Sequence, residues 1–302
     1  MDATPSVSLP PDAQSGIPRR PPQALEIGGR LFEWGSRTYV MGIINVTPDS
    51  FSGDGLMVAN ADPVAAAVAQ ARQMAEEGAD ILDIGGQSTR PGHAALPTRE
   101  ELARVIPVMN EVRRALPEMP LSIDTTSAEV AEAALEVGAN LVNDVWATAA
   151  EPGLLRLTAE LSLPIVLMHN RAEARYTNVL AEIIADLQRA IDTAVAAGIA
   201  WERLIVDPGI GFGKTAEHNL AVLHDLGALQ VLARPILLGA SRKSTIGKVL
   251  DLPADQRVEG TLTTTALGVA AGVDMVRVHD VQPNVRAARM ADAVLRPGRG
   301  HS

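Results

Sequence analysis

The stretch LSIDTTSAEVAEAALEVGANLVND (121–144) contains the pattern that decides the fold. It begins with a short aliphatic run, continues with apolar positions spaced along one face of a helix, and ends in a second aliphatic run. Near-continuous hydrophobicity is typical of strands that are buried on both faces of a parallel sheet. The stretch therefore predicts a strand–helix–strand unit whose two strands run parallel.

The same alternation extends in both directions along the chain. Eight short runs of aliphatic and β-branched residues are separated by helical patterns, each of which ends near a glycine. The runs occupy residues 39–44, 80–84, 121–124, 140–144, 164–168, 203–207, 235–239 and 274–278. Eight strand–helix units predict an α/β fold, the (β/α)8 TIM barrel. A doubly wound open sheet is the alternative.

The remaining segments predict how the chain begins and how its helices start. Around Gly28 and Gly29, two short apolar runs predict a β-hairpin. Residues 1–24 are rich in Pro, Ser and Ala without an apolar core, which predicts a disordered tail and not a secretory signal. The predicted domains are that tail and a single barrel over residues 25–298. Asp62 before Pro63 predicts a helix start, and Thr98 with Glu101 predicts a capping box.

The composition excludes several classes of protein. The chain has 302 residues, a formal net charge of −10 and no cysteine. An excess of acid argues against a nucleic-acid-binding protein, and the missing cysteines exclude disulfides, thiolate metal sites and a cysteine nucleophile. No run of about 18 apolar residues is present, so no membrane span is predicted. We expect a cytoplasmic protein with no membrane or nucleic-acid partner.

Polar residues follow most of the predicted strands. The active sites of such barrels lie at the carboxyl ends of the strands. The residues at these ends are Asn45, Asp83, Asp124, Asn143, Asp144, His169, Asp207, Arg277 and His279. Each has a simpler interpretation, because an Asp at a strand end can cap the next helix and a lone buried histidine is more often structural. Together they indicate one functional rim.

Two loops after late strands add to this rim. The loop DPGIGFGK (207–214) has three glycines, which allow a flat ligand to approach the backbone, although the spacing is not that of a phosphate-binding P-loop. The segment GASRKS (239–244) places Arg242 and Lys243 at a predicted helix start, which suits an anion or an electronegative ring. Lys243 is the better candidate, since Arg242 could equally form an outward ion pair.

In combination, these motifs resemble those of the dihydropteroate synthase family. The resemblance runs from about Leu31 to Leu295 and rests on motifs in the family's order. They are GIINVTPDSFS, GADILDIGGQSTRPG, SIDT, LVNDV, PIVLMH, DPGIGFGK, GASRKS and VRVHDV. The family condenses 6-hydroxymethyl-7,8-dihydropterin diphosphate with p-aminobenzoate, giving 7,8-dihydropteroate and diphosphate in folate biosynthesis. The resemblance implies the same barrel, the same two small-molecule substrates and a homodimer.

The resemblance also implies residue roles. Those matching the pterin pocket are Asp124, Asn143, Asp207 and Lys243, with Asp83 as a further candidate and Met168 and Phe212 as apolar walls. Those matching the diphosphate site are Asn45, Arg90, Arg277 and His279, and Asn45 matches the family's Mg²⁺ ligand. Those matching the p-aminobenzoate pocket and its two loops are Thr47, Pro48, Phe51, Thr89, Pro91 and Ser241. Catalytic roles are implied for Asp124, Lys243, Arg277 and His279.

A mechanism and two competing functions follow from these roles. Diphosphate would depart with the help of Mg²⁺ and cationic side chains, and the amine would then add to a pterin cation stabilised by Asp124. Gln87 stands where the family usually has Glu.

The alternatives are a catalytically silent pterin-binding paralogue and a methyltetrahydrofolate-dependent corrinoid methyltransferase. Intact loop residues and the cationic cluster argue against both, and unaltered Phe51 and Pro91 predict sensitivity to sulfonamides.

Overall fold

The chain begins with a small hairpin and continues as a barrel of alternating strands and helices. A computed structural model describes residues 23–46, 62–87, 96–147 and 152–296. The hairpin pairs β1 (Leu25–Ile27) with β2 (Arg30–Phe32) in antiparallel register. Its turn is formed by Gly28 and Gly29, whose φ angles of 57° and 80° are those that a two-residue hairpin turn requires. The predicted hairpin is therefore confirmed.

All eight predicted barrel strands are present. They are β3 (Tyr39–Asn45), β4 (Ile81–Gly85), β5 (Leu121–Asp124), β6 (Leu141–Asp144), β7 (Ile165–Met168), β8 (Leu204–Asp207), β9 (Leu237–Leu238) and β10 (Met275–Val278). Neighbouring strands pair in parallel, in the order β8-β7-β6-β5-β4-β3-β10-β9. A bridge between Val206 and Ile236 joins the two ends of this order. The (β/α)8 barrel is thus confirmed, and the open sheet is excluded.

Helices connect successive strands on the outside of the barrel. They are α1 (Pro63–Glu76), α2 (Thr98–Ala115), α3 (Ala128–Glu136), α4 (Pro152–Glu160), α5 (Val179–Ala196), α6 (Ala216–His224), α7 (Ser244–Leu250), α8 (Val258–Ala270) and α9 (Val281–Leu295). Their apolar faces pack on the outward side chains of the strands, such as Ile84, Ile123 and Val206. None of the helices within the described ranges is both long and apolar enough to cross a bilayer.

The inward side chains divide the barrel interior into two parts. Toward the amino ends of the strands lies an apolar cluster, the lower interior, which the hairpin closes from below. It consists of Leu25, Ile27, Phe32, Trp34, Tyr39, Met41, Ile81, Leu141, Val166, Ile205, Leu237 and Met275. Since side chains alternate along a strand, the next inward positions lie two residues further on. Four of these positions, Asp83, Asn143, Asp207 and Arg277, are polar, and together with Ser122 and Asp124 of β5 they form the upper interior.

The helix starts confirm one sequence prediction and contradict another. Asp62 caps α1, because its carboxylate accepts the backbone N–H of Val64 and Pro63 is the first helical residue. The predicted capping box of Thr98 and Glu101 is wrong. Pro97 occupies the cap position of α2, Thr98 is already helical, and no side chain caps this helix. The Glu101 side chain is buried instead. The domain division stays a prediction, because residues 1–22 and 297–302 lie outside the described ranges.

Candidate active site

The upper interior brings together residues from five strands that are far apart in the sequence. In the parallel register, Asp124 at the end of β5 lies beside Asn143 of β6, and Asp83 of β4 lies beside Ser122 of β5. Asp207 ends β8, and Arg277 comes from β10 on the other side of β3. The side chains of Asp83, Asn143 and Asp207 are all less than 5% exposed. Five of the nine strand-end residues predicted to share a rim thus lie together in this polar site: Asp83, Asp124, Asn143, Asp207 and Arg277.

Arg277 joins two of the carboxylates. Its Nε donates to Oδ2 of Asp83 at 2.6 Å, and its Nη2 donates to Oδ2 of Asp124 at 2.8 Å. The same Asp83 oxygen accepts the amide N–H of Asn143 at 3.0 Å. Burial alone would lower the pKa of Arg277, but the two carboxylates more than offset this and raise it. The guanidinium predicted to bind the diphosphate is therefore paired with two carboxylates predicted for the pterin pocket.

Several buried oxygens of this site have no hydrogen-bond partner among the described residues. They are Oδ1 of Asp83, Oδ1 of Asp124, Oγ of Ser122 and Oε1 of Glu101. Burial raises the pKa of Asp124, although Arg277 opposes that effect. A buried acceptor without a donor costs about 1–3 kcal/mol, so such groups usually mark a place where a ligand or water donates. These oxygens are thus available to a ligand or a water that carries N–H or O–H groups.

Asp207 lies at the base of the glycine-rich loop. Its Oδ1 accepts the backbone N–H of Gly209 at 2.6 Å. Burial raises the pKa of Asp207 to about 6, while the Gly209 N–H and the nearby lysines oppose the rise. Oδ2 of Asp207 faces Gly239, where even an added Cβ would lie at an ordinary van der Waals distance of 3.5 Å. Asp207 can therefore accept further hydrogen bonds on its open side.

Lys243 and Phe212 meet above Asp207. The Lys243 ammonium lies 3.9 Å from the centroid of the Phe212 ring, a cation–π contact that fixes both groups. A Cβ on Gly211 would come within 3.0 Å of the Lys243 side chain, so glycine gives the lysine room to pass. A flat ligand stacked beside Phe212 would have the ammonium at its edge.

His279 and Ser241 form the neighbouring part of the rim. Oγ of Ser241 lies 3.0 Å from Nδ1 of His279 and also accepts the His279 backbone N–H at 3.1 Å. Arg242 pairs with Asp280 through two hydrogen bonds of 3.0 and 2.7 Å. The outward ion pair considered for Arg242 is therefore present, which leaves Lys243 as the cation of this loop beside the glycine-rich loop.

The strand-end aspartates separate into structural and pocket residues. Asp144 accepts the backbone N–H of Trp146 at 2.9 Å and so stabilises its own turn. Asp124 caps no helix, because the start of α3 is capped by Ser127, whose hydroxyl accepts the N–H of Val130. The helix-cap interpretation thus fails for Asp124, while Asp144 stabilises a turn directly after β6.

Two groups near the site escaped the sequence prediction. Glu101 reaches inward from α2, and burial raises its pKa although Thr125 donates a hydrogen bond to it. Lys214, at the end of the glycine-rich loop, is half-buried beside His169. A compositional signal could have singled out Lys214. The chain has only three lysines among its 26 Lys and Arg residues, and Lys214 and Lys243 are two of them.

Part of the predicted site cannot be compared with the structure. Thr47, Pro48, Phe51, Thr89, Arg90 and Pro91 lie outside the described residues. Asn45 is half-buried at the carboxyl end of β3. Over the described ranges, no group of three or more His, Cys, Asp and Glu side chains could hold a metal ion. A dedicated protein cage for a metal is therefore absent from that part of the chain.

Comparison with known proteins agrees with this geometry. Residues 41–279 match the family described as pterin binding enzyme. The chain is 45% identical to the dihydropteroate synthase of Clostridium beijerinckii over 273 residues, which cover 90% of this chain and 100% of the relative.

Two solved structures share the fold. One is the Xanthomonas albilineans dihydropteroate synthase in complex with 7,8-dihydropteroate, with 43% identity, a TM-score of 0.82, and coverage of 90% of this chain and 98% of that one. The other is the Yersinia pestis enzyme with a sulfonamide drug complex, with 38% identity, a TM-score of 0.83 and the same coverage. On these grounds, the chain belongs to the dihydropteroate synthase family of pterin binding enzymes.

Proposed function

We propose that this chain is a transferase that condenses 6-hydroxymethyl-7,8-dihydropterin diphosphate with p-aminobenzoate, releasing diphosphate and 7,8-dihydropteroate in folate biosynthesis. The observation that carries the proposal is the upper interior, where buried carboxylates with unpartnered oxygens face Lys243 and Arg277. A dihydropterin carries N–H donors along one edge and a ring carbonyl on another. Its hydrogen-bonding groups complement those of the site.

The pterin ring would be held by groups from both sides of the barrel. Asp207 accepts the N–H groups of the aminopyrimidine edge through its open oxygen. Lys243 and Asn143 meet the carbonyl and a ring nitrogen, while Phe212 and Met168 cover the faces of the ring. Asp83 and Asp124 receive the remaining N–H groups through their unpartnered oxygens. This arrangement would relieve the cost of the unpaired buried acceptors.

The diphosphate would lie on the outer side of the ring, at the rim. Arg277 and, as the resemblance implies, Arg90 would supply positive charge there beside His279, and guanidinium groups can bind two phosphate oxygens at once. Asn45 would offer one neutral oxygen to Mg²⁺, an ion that keeps several waters and takes phosphate oxygens. When bound, it would stabilise the charge on the departing diphosphate.

The reaction would proceed by departure followed by addition. The bond from the exocyclic methylene to the bridging oxygen breaks, and diphosphate keeps the electron pair. The pterin cation that remains lies beside the carboxylates of Asp83 and Asp124, which stabilise its charge. The amine of p-aminobenzoate then forms the new C–N bond and loses a proton. Arg277 would link the two charges, since it contacts both carboxylates and is one of the groups proposed to bind the diphosphate.

A release assay tests this proposal. Purified protein is mixed with the pterin diphosphate, p-aminobenzoate and Mg²⁺, and diphosphate is measured with each component omitted in turn. We expect release only with all three, and a chelator should stop it. Pterin binding without release would indicate the silent paralogue, and demethylation of methyltetrahydrofolate would indicate the corrinoid methyltransferase.

We further propose that the chain forms a homodimer through its outer helices. A groove of about 880 Å³ lies between α6, α7 and α8, with Leu220, Val249 and Leu267 exposed along it. Met290 and Val294 extend the apolar surface onto α9. Exposed apolar surface of this extent is typical of an interface. Light scattering should give twice the chain mass, and Leu267→Glu should give the monomer mass.

Sulfonamide binding and location in the cell are the remaining proposals. The Yersinia pestis relative was solved with a sulfonamide drug, and we propose that such compounds compete with p-aminobenzoate here. Raising p-aminobenzoate should then reverse the inhibition. A cytoplasmic location is proposed from the lack of cysteine, and cell fractionation would test it.

A further inference from the structure

Lys214 makes a set of contacts that the proposed reaction does not explain. Its ammonium lies 2.9 Å from the carbonyl oxygen of Gly209, 3.0 Å from that of Phe212 and 2.9 Å from Nδ1 of His169. A lysine ammonium has three donors, so all of them are used. Lys214 is therefore fully satisfied inside the protein and is not placed to bind a ligand itself.

Both carbonyls belong to residues next to the pterin pocket. Gly209 donates its N–H to Asp207, and Phe212 carries the ring that Lys243 covers. Lys214 thus holds the glycine-rich loop at two points. One is the carbonyl of Gly209, the residue bonded to Asp207, and the other is the carbonyl of Phe212. Glycines at 209, 211 and 213 make this loop pliable, and each has a positive φ. A loop of this kind needs side-chain contacts to hold one conformation.

A second set of contacts holds Lys214 in place. With Nδ1 of His169 accepting from the ammonium, the other ring nitrogen faces Asp186, whose Oδ2 lies 3.1 Å away. Asp186 in turn pairs with Arg171 and Arg189. His169 is 2% exposed, and a Cβ on Gly209 would overlap its carbonyl oxygen. The chain of contacts runs from α5 through His169 to the loop.

We propose that Lys214 is a positioning residue of the pterin pocket, which acts by holding the Gly209 and Phe212 carbonyls and is itself held by His169. The proposal deepens the proposed function and rests on it, because the ligand concerned is the pterin ring. It assigns Lys214 no contact with either substrate. We expect its effect to be confined to the ring, because its three contacts are with the glycine-rich loop and with His169.

The lysines of the chain provide a test variant and a matched control. Lys214→Met keeps the length and apolar stem of the side chain but removes every donor. Lys248→Met makes the same change at the exposed third lysine, on α7. His169→Phe removes the acceptor that orients Lys214 while keeping a ring of similar size. Two probes separate the parts of the site: 6-hydroxymethylpterin for the ring pocket, and inorganic diphosphate with Mg²⁺ for the diphosphate site.

We expect Lys214→Met to raise the Kd for 6-hydroxymethylpterin by about tenfold or more, because small displacements of binding groups are costly. The Kd for diphosphate should stay within about twofold of the wild type, which also reports that the barrel is folded. In steady-state kinetics, KM for the pterin diphosphate should rise more than KM for p-aminobenzoate. Lys248→Met should match the wild type in all of these.

His169→Phe should weaken pterin binding by about threefold in the wild-type background and not at all in the Lys214→Met background. Additive effects would show that His169 does not act through Lys214. Unchanged pterin affinity in Lys214→Met would overturn the proposal, and so would loss of both ligands together with the circular dichroism signal, because the residue would then support the whole barrel. A wild-type protein that bound diphosphate but no pterin would instead refute the proposed function.

Discussion

The two halves of the barrel interior are built from the same strands and have opposite characters. The lower interior contains only apolar and aromatic side chains, and the hairpin seals it with Phe32 and Trp34. Toward the carboxyl ends of the strands, the upper interior contains Asp83, Asp124 and Arg277. Burial of apolar area stabilises the fold, whereas burial of charge costs free energy unless the charge is paired. The barrel thus gains stability at one end and keeps a destabilised polar site at the other.

The largest expected effect concerns the lower interior. Phe32 is 1% exposed, and its ring lies 4.6 Å from that of Tyr39. Phe32→Ala should lower the free energy of unfolding by about 3–5 kcal/mol, because it leaves a cavity in a packed cluster. Urea denaturation measures the change. KM for both substrates should be unaffected where the variant is folded, since the site lies at the other end.

The adjacent Leu31 provides a matched control. It is 58% exposed on the same strand, so Leu31→Ala should change stability by less than about 0.5 kcal/mol. Equal losses for the two variants would mean that the hairpin does not seal the lower interior in solution.

A comparable but smaller loss is expected when the charge pairing of the upper interior is broken. Arg277→Met leaves Asp83 and Asp124 without their guanidinium, which should cost about 3 kcal/mol of stability and nearly all activity. Adding Asp83→Asn should restore part of the stability, because one unpaired charge is removed, but none of the activity. Denaturation of the single and double variants measures this. If the double variant were less stable than the single one, the charge explanation would be wrong.

Replacing Asp207 should instead raise the stability of the protein. Its pKa is raised to about 6 in the fold, above the value near 4 of an unfolded chain. Ionised Asp207 therefore destabilises the protein above pH 6, and this penalty disappears as the pH falls below about 4, where both states are protonated. Asp207→Asn should accordingly raise stability by about 1 kcal/mol at pH 8, with part of the gain lost to the weaker Gly209 hydrogen bond.

The same variant should lose about a hundredfold in kcat/KM, since the amide cannot accept two N–H groups as a carboxylate does. Thermal unfolding at pH 8 and pH 4, combined with initial rates, tests both parts. A variant that was less stable at pH 8 and equally active would show that Asp207 belongs to the structure and not to the pocket.

Much of the difference between the lower and the upper interior could be predicted from the sequence, because the positions of the strands follow from local periodicity. Aliphatic runs placed the strands, and barrel topology then required residues such as Asn143 and Asp207 to meet at one end. Contacts between distant side chains could not be predicted in this way. Arg277 and Asp83 are 194 positions apart, and no spacing rule indicates that they pair. The sequence predicts the wrong role for Glu101, because a capping motif specifies residue types only. The conformation of the backbone before the helix decides whether the cap forms.

The smallest expected effect concerns the starts of helices α2 and α3. Ser127 accepts the Val130 N–H at the start of α3, so Ser127→Ala should cost about 1 kcal/mol of stability. Thr98→Ala should cost a few tenths at most, because Thr98 caps nothing in α2. Both variants should keep wild-type kcat/KM, although Ser127 is only three residues from Asp124. A loss of activity in Ser127→Ala that exceeded its loss of stability would mean that the cap also positions Asp124, and the separation between structural and pocket residues at this rim would fail.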